Sequence, residues 1–127
     1  MDAKNQQLLI ENYITAYNQF DVPGMLKDLH PDIEFRNISS GNVTLALQGI
    51  EAFKTQAQQA SAYFSQRKQT VTSFRFKDQQ VEVTIDYKGI LAINLPNGLK
   101  SGSIIELKGK SIYRFRENQI ILIEDIS

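Results

Sequence analysis

The chain has 127 residues, with 14 Lys/Arg balanced by 14 Asp/Glu, one histidine and no cysteine. That length suits one domain able to bury roughly two-thirds of the surface of its unfolded chain, enough for a core and a pocket. The zero net charge excludes a field for phosphate backbones or anionic membranes, and the absent cysteines and lone His30 exclude disulfides, thiolate chemistry and a Cys/His metal centre.

No Asp-x-Asp spacing supports an all-carboxylate metal site, and the glycines do not form a phosphate-binding loop, so neither metal nor cofactor is expected. The amino-terminal segment MDAKNQQLLIENY lacks the apolar centre of a signal peptide. No apolar run approaches the roughly 20 residues needed to cross a bilayer. The expectation is a soluble cytoplasmic protein without nucleic-acid or membrane partners.

In chain order, Leu9, Tyr13, Ala16 or Tyr17, and Phe20 recur at three- and four-residue steps and predict a helix over residues 4–19. Asp21 is a natural N-cap for a short second helix over 22–29, where Pro23 is tolerated in the first turn and Met25, Leu26 and Leu29 supply the apolar face. Pro31 forces His30 into an extended conformation, and Ile33, Phe35 and Asn37 then alternate with polar residues as a first strand. Residues 39–48 read as a loop with room for a short strand at Val43 to Ala46. Ile50, Phe53, Ala57, Ala60 and Phe64 share one face of a third helix.

Beyond residue 67 the chain reads as strands over 68–77, 80–93, 103–116 and 119–126, joined by turn signals that make an antiparallel meander. Val81, Val83, Ile85 and Tyr87 share an apolar face opposite Glu82, Thr84, Asp86 and Lys88. Leu107, Gly109, Ser111, Tyr113 and Phe115 likewise alternate with charged residues. The last strand differs: Ile120, Leu122 and Ile126 point one way, and Ile121, Ile123 and Asp125 the other. Three helices cover only one sheet face, so the outer face, around Ile120, Leu122, Ile112 and Phe74 or Phe76, is expected to pack on a second copy as a homodimer. The charged outer ladder is a solvated face with cross-strand ion pairs.

The order helix, helix, strand, helix, meander resembles the nuclear transport factor 2-like superfamily, with its SnoaL-like polyketide cyclases and ketosteroid isomerases. Its carriers are YITAYNQFD from Tyr13, HPDIEF from His30, GIEAF from Gly49 and SIYRFRENQIILIEDI from Ser111. The resemblance implies one α+β domain over residues 1–127, a cone-shaped curved sheet around three helices in a cystatin-like arrangement, with a tapering pocket for a small apolar molecule. It implies that Tyr13 matches the oxyanion-donating tyrosine of the isomerases. Asn37 and Ser111 fall where those enzymes carry carboxylic groups, and an amide cannot abstract a carbon-bound proton at neutral pH, so steroid isomerisation by that route is not expected.

Asp125 is then the inward carboxylate left to act as acid or base, with Tyr13 as its catalytic partner and Asn37, Ser111, Tyr87, Phe53 and Phe35 as ligand-binding residues. Each also has a plainer reading: Tyr13 as a core aromatic, Asn37 bonded to local backbone, Ser111 as a small spacer, Tyr87 as wall, Asp125 in a surface ion pair near the chain end. His30 reads as part of a surface turn. Two functions follow from these alternatives, a cofactor-free isomerase, cyclase or hydrolase, or a non-catalytic ligand-binding or dimeric scaffolding domain.

Overall fold

The computed structural model describes residues 1–127 as α1 (Ala3–Asn18), α2 (Val22–Leu26), β1 (Leu29–Ser39), β2 (Asn42–Gln48), α3 (Ile50–Ser61), β3 (Phe64–Lys77), β4 (Gln80–Leu91), β5 (Ile104–Arg116) and β6 (Gln119–Ile126). The six strands form one mixed, open sheet in the order β2-β1-β6-β5-β4-β3. Strands β3 to β6 are the expected antiparallel meander. Strand β1 then runs parallel to β6, with β2 as its hairpin partner at the sheet edge. The second strand is therefore a full element of seven residues, longer than the short strand anticipated.

Helix α1 is capped by the Asp2 carboxylate, which accepts from the Asn5 N–H at 2.8 Å. Its buried stripe is Ile10, Tyr13, Ile14 and Ala16, one position on from a stripe led by Leu9. Helix α2 has the expected cap, with Asp21 accepting from the Gly24 N–H at 3.0 Å, but stops at Leu26. The competing claim is the sheet: Asp28 accepts from the Ile120 N–H and Leu29 pairs with Ile120, so the chain is already strand before Pro31. His30 is consequently buried rather than part of a surface turn. Its Nδ1 accepts from the Asp32 N–H at 3.0 Å and its Nε2 lies 3.6 Å from Glu117.

Phe64 does not belong to the third helix. It opens β3 opposite Leu91, and its ring lies over Gly89, where a Cβ would come within 2.8 Å of it. The missing side chain on β4 makes the seat that draws Phe64 onto the sheet.

The last strand corrects the expected facing. A bulge at Ile121 sets Ile120 opposite Phe115 while Leu122 stays opposite Arg114 and Ile123 opposite Tyr113. Ile120 therefore joins Ile123 on the helix-covered side, and both are fully buried. Phe74 and Phe76, opposite Val83 and Val81, share the parity of the inner face, where Phe74 packs against the core and Phe76 is exposed. Of the residues assigned to the outer face, Ile112 and Leu122 remain, and Leu122 is already 4% exposed within one chain. The rest of that face carries ion pairs such as Lys110 to Glu82 at 3.3 Å and Lys108 to Asp86 at 4.0 Å. The core lies between α1, α3 and the inner face, around Ile10, Tyr13, Ile33, Phe53, Val81, Val83, Tyr113 and Ile123.

Candidate functional site

Three adjacent strands bring three of the predicted residues into one rung. Asp125 on β6 pairs with Asn37 on the parallel neighbour β1 and with Ser111 on the antiparallel neighbour β5. All three line a cavity on the inner face. The Ser111 hydroxyl donates to Asp125 Oδ1 at 2.7 Å. The Asn37 amide donates to Thr44 Oγ1 at 2.8 Å, where a bulge after Asn37 leaves Thr44 unpaired in β2.

Asp125 is half-buried in the cavity wall, and this burial pushes its carboxyl up to about 6, only partly opposed by the hydrogen bond from Ser111. Burial is also the main cause that holds the Tyr13 hydroxyl well above its usual range, with the Asp125 charge adding to it. A phenol so placed stays protonated and is a hydrogen-bond donor at any ordinary pH. Tyr113, fully buried beneath the rung, is raised by the same two causes, and its hydroxyl has no hydrogen-bond partner.

Two cavities meet at this rung, and Tyr17, Asn37 and Asp125 line both. One, of about 240 Å³, runs along Ser111, Phe64, Gln69 and Tyr87. The other, of about 200 Å³, runs along Tyr13, Phe35, Phe53 and Arg67. Edge-to-face contacts stiffen the walls, with Phe53 at 6.3 Å from Tyr13 and 5.8 Å from Phe35, and Phe64 at 6.2 Å from Tyr87. Every residue named from the sequence for the site thus borders one or both cavities. Nowhere do three His, Cys, Asp or Glu side chains converge as a metal would need.

Several lining residues escaped sequence reasoning. Tyr17 is one, its hydroxyl hydrogen-bonded at 3.0 Å to that of the predicted Tyr87. Gln69 is buried with its side-chain oxygen unpartnered. Arg67 is buried as well, its guanidinium 3.7 Å from the centre of the Tyr17 ring and its Nε donating to the Tyr17 carbonyl at 2.9 Å. A signal was present: Arg67, Gln69 and Val71 sit opposite Gly89, Tyr87 and Ile85, so extending the inward parity of β4 across the hairpin points both polar side chains inside.

A model of the SnoaL-like domain matches residues 10–123. The chain belongs to the SnoaL-like family. No curated protein sequence matches it. Among solved structures, the fold of this SnoaL-like protein is similar to that of a proposed polyketide cyclase from Xanthomonas campestris pv. campestris, at 19% identity and TM-score 0.82 over 98% of this chain and 90% of that one. A SnoaL-like proposed polyketide cyclase from Jannaschia sp. CCS1 superposes with TM-score 0.79 at 13% identity, over 96% and 84% of the two chains. AclR from Streptomyces galilaeus, a proposed hydroxylase, gives 0.77 at 16% identity over 98% and 89%. At these identities the likeness establishes the shared α+β fold.

Proposed function

We propose that this SnoaL-like protein is a cofactor-free enzyme acting on a small, mostly apolar carbonyl compound, with Asp125 as its general base and acid. One observation carries the reading: a carboxyl raised to about 6 faces the junction of two cavities and is oriented by Ser111. Such a group is largely ionised at neutral pH, yet close enough to its midpoint to return the proton it takes.

In the step, the Asp125 carboxylate removes a proton from the carbon next to the carbonyl. The C–H electron pair moves into the carbonyl to give an enolate, and Asp125 then delivers the proton to another atom of the same molecule or back to the first. The Ser111 proton is committed to Asp125 and one Asn37 amide N–H to Thr44, whereas the Tyr13 hydroxyl, which stays protonated and lines the cavity beside Asp125, is a donor for the enolate oxygen. The isomerase-like positions of Asn37 and Ser111 are uncharged here, and the carboxylate stands on the strand between them.

The test is deuterium exchange at the α-carbon of 2-tetralone, a small apolar ketone, followed by proton NMR in D₂O. The wild type should accelerate exchange over buffer, and Asp125→Asn should lose on the order of 100-fold or more of that acceleration. A second reading, a non-catalytic binding domain, is supported by the aromatic lining of Phe35, Phe53 and Tyr13. It predicts that the ketone binds and shifts resonances of these residues while its α-protons exchange no faster than in buffer.

A further inference from the structure

Arg67 is the only Lys or Arg among the buried residues, at 4% exposed, and no carboxylate lies within ion-pair distance of it. Part of its environment has a structural explanation. Its Nε donates to the Tyr17 carbonyl in the last turn of α1, where the helix dipole favours a cation, and its planar face stacks between Tyr17 and Phe20. That accounts for one N–H and the two faces of the guanidinium.

It does not account for the outer edge. A guanidinium carries five N–H donors, and beyond Nε the nearest partner is the thioether of Met25, 3.9 Å from one terminal nitrogen. Sulfur is a weak acceptor and bears no charge. Both Met25 and Arg67 line the cavity of about 200 Å³ that Asp125 also lines, and Arg67 further borders an open groove of about 750 Å³ beside Asn18 and Phe20. A buried charge with donors unmatched by any anion is costly unless something brings the anion.

We propose that the ligand of this cavity carries a carboxylate, which pairs side-on with the outer edge of the Arg67 guanidinium while its apolar body lies along Tyr13, Phe35 and Phe53. Arg is suited to this because its planar fork matches a carboxylate with two parallel hydrogen bonds. Arg67 and Asp125 both line this cavity and do not lie within ion-pair distance of each other. A molecule anchored at Arg67 presents its far end, not its carboxylate, to Asp125.

This inference rests on the reading of the cavity as a small-molecule site and adds the class of molecule. Isothermal titration of the full chain with benzoate and with benzamide, its neutral counterpart of the same shape, separates the two claims. Benzoate should bind at least tenfold more tightly than benzamide. Arg67→Gln should abolish that preference and leave benzamide unchanged, and Arg67→Lys should keep part of it. Equal affinities in the wild type, or benzoate binding untouched by Arg67→Gln, would overturn the carboxylate and leave the pocket standing. Binding of neither probe would overturn both. Should Arg67→Gln not fold, the wild-type ratio and Arg67→Lys decide alone.

Discussion

Asp125 accepts a hydrogen bond from Ser111, yet its carboxyl is raised rather than lowered, because the removal of water from the charged form outweighs one donor. The consequence for stability has a definite sign. A carboxyl whose folded value, about 6, exceeds its unfolded value binds more protons in the folded state, so stability falls as pH rises from about 4 through about 6. Asp125→Asn removes that charge while keeping the shape of the group. Urea unfolding should find the variant more stable than wild type at pH 7 by about 1–3 kcal/mol, with the difference shrinking toward pH 4. A variant less stable at pH 7 would mean that the carboxylate is satisfied in the folded protein and not poised for work. The inward facing of Asp125 could be read from its alternation with Ile123. Its neighbours in space could not, since Asn37 and Ser111 meet it only through strand pairing, and one of those pairs is parallel.

At the scale of elements, the site depends on how closely β5 and β6 approach. Gly109 sits two residues before Ser111, and a Cβ there would come within 2.7 Å of the Ile126 carbonyl oxygen. Backbone, unlike a side-chain tip, cannot swing aside. Gly109→Ala should push the end of β6 outward, cost about 1–3 kcal/mol in thermal or urea unfolding and move Asp125 toward water, returning its carboxyl toward the ordinary range. The elements themselves were largely legible: the cap of α2, the meander and its turns follow from Asp21, from the period-two runs and from the turn residues. What failed were boundaries and parities decided by distant partners. Helix α2 ends early because Leu29 is claimed by Ile120, Phe64 leaves the helix for a seat over Gly89, and the bulge at Ile121 turns Ile120 inward. A run of Ile-Ile-Leu-Ile supports either parity, so local pattern cannot place a bulge within it.

For the whole molecule, the inward turn of Ile120 and the inner parity of Phe74 and Phe76 leave less apolar surface on the outer sheet face than the alternation suggested. We propose that the outer face forms a homodimer centred on the half-buried Ile112, Ile38 and Ile126, beside the Arg36 to Glu124 ion pair at 2.9 Å. Sedimentation velocity should give a dimer, and Ile112→Lys should return it to a monomer with its circular dichroism unchanged; a wild-type monomer would end the proposal. Membership of the SnoaL-like family and the α+β architecture were readable because many weak signals agree in order and spacing. The burial of Arg67 was not, because a single arginine in a polar-looking strand gives no sign of it until the strand is paired with β4. The central claim is that Asp125 acts as the base, and the pH profile of wild-type α-deuterium exchange into 2-tetralone tests it most directly. The rate should rise with pH, reach half its maximum near pH 6 and vanish in Asp125→Asn; an acceleration that survives that substitution with the same profile would contradict it.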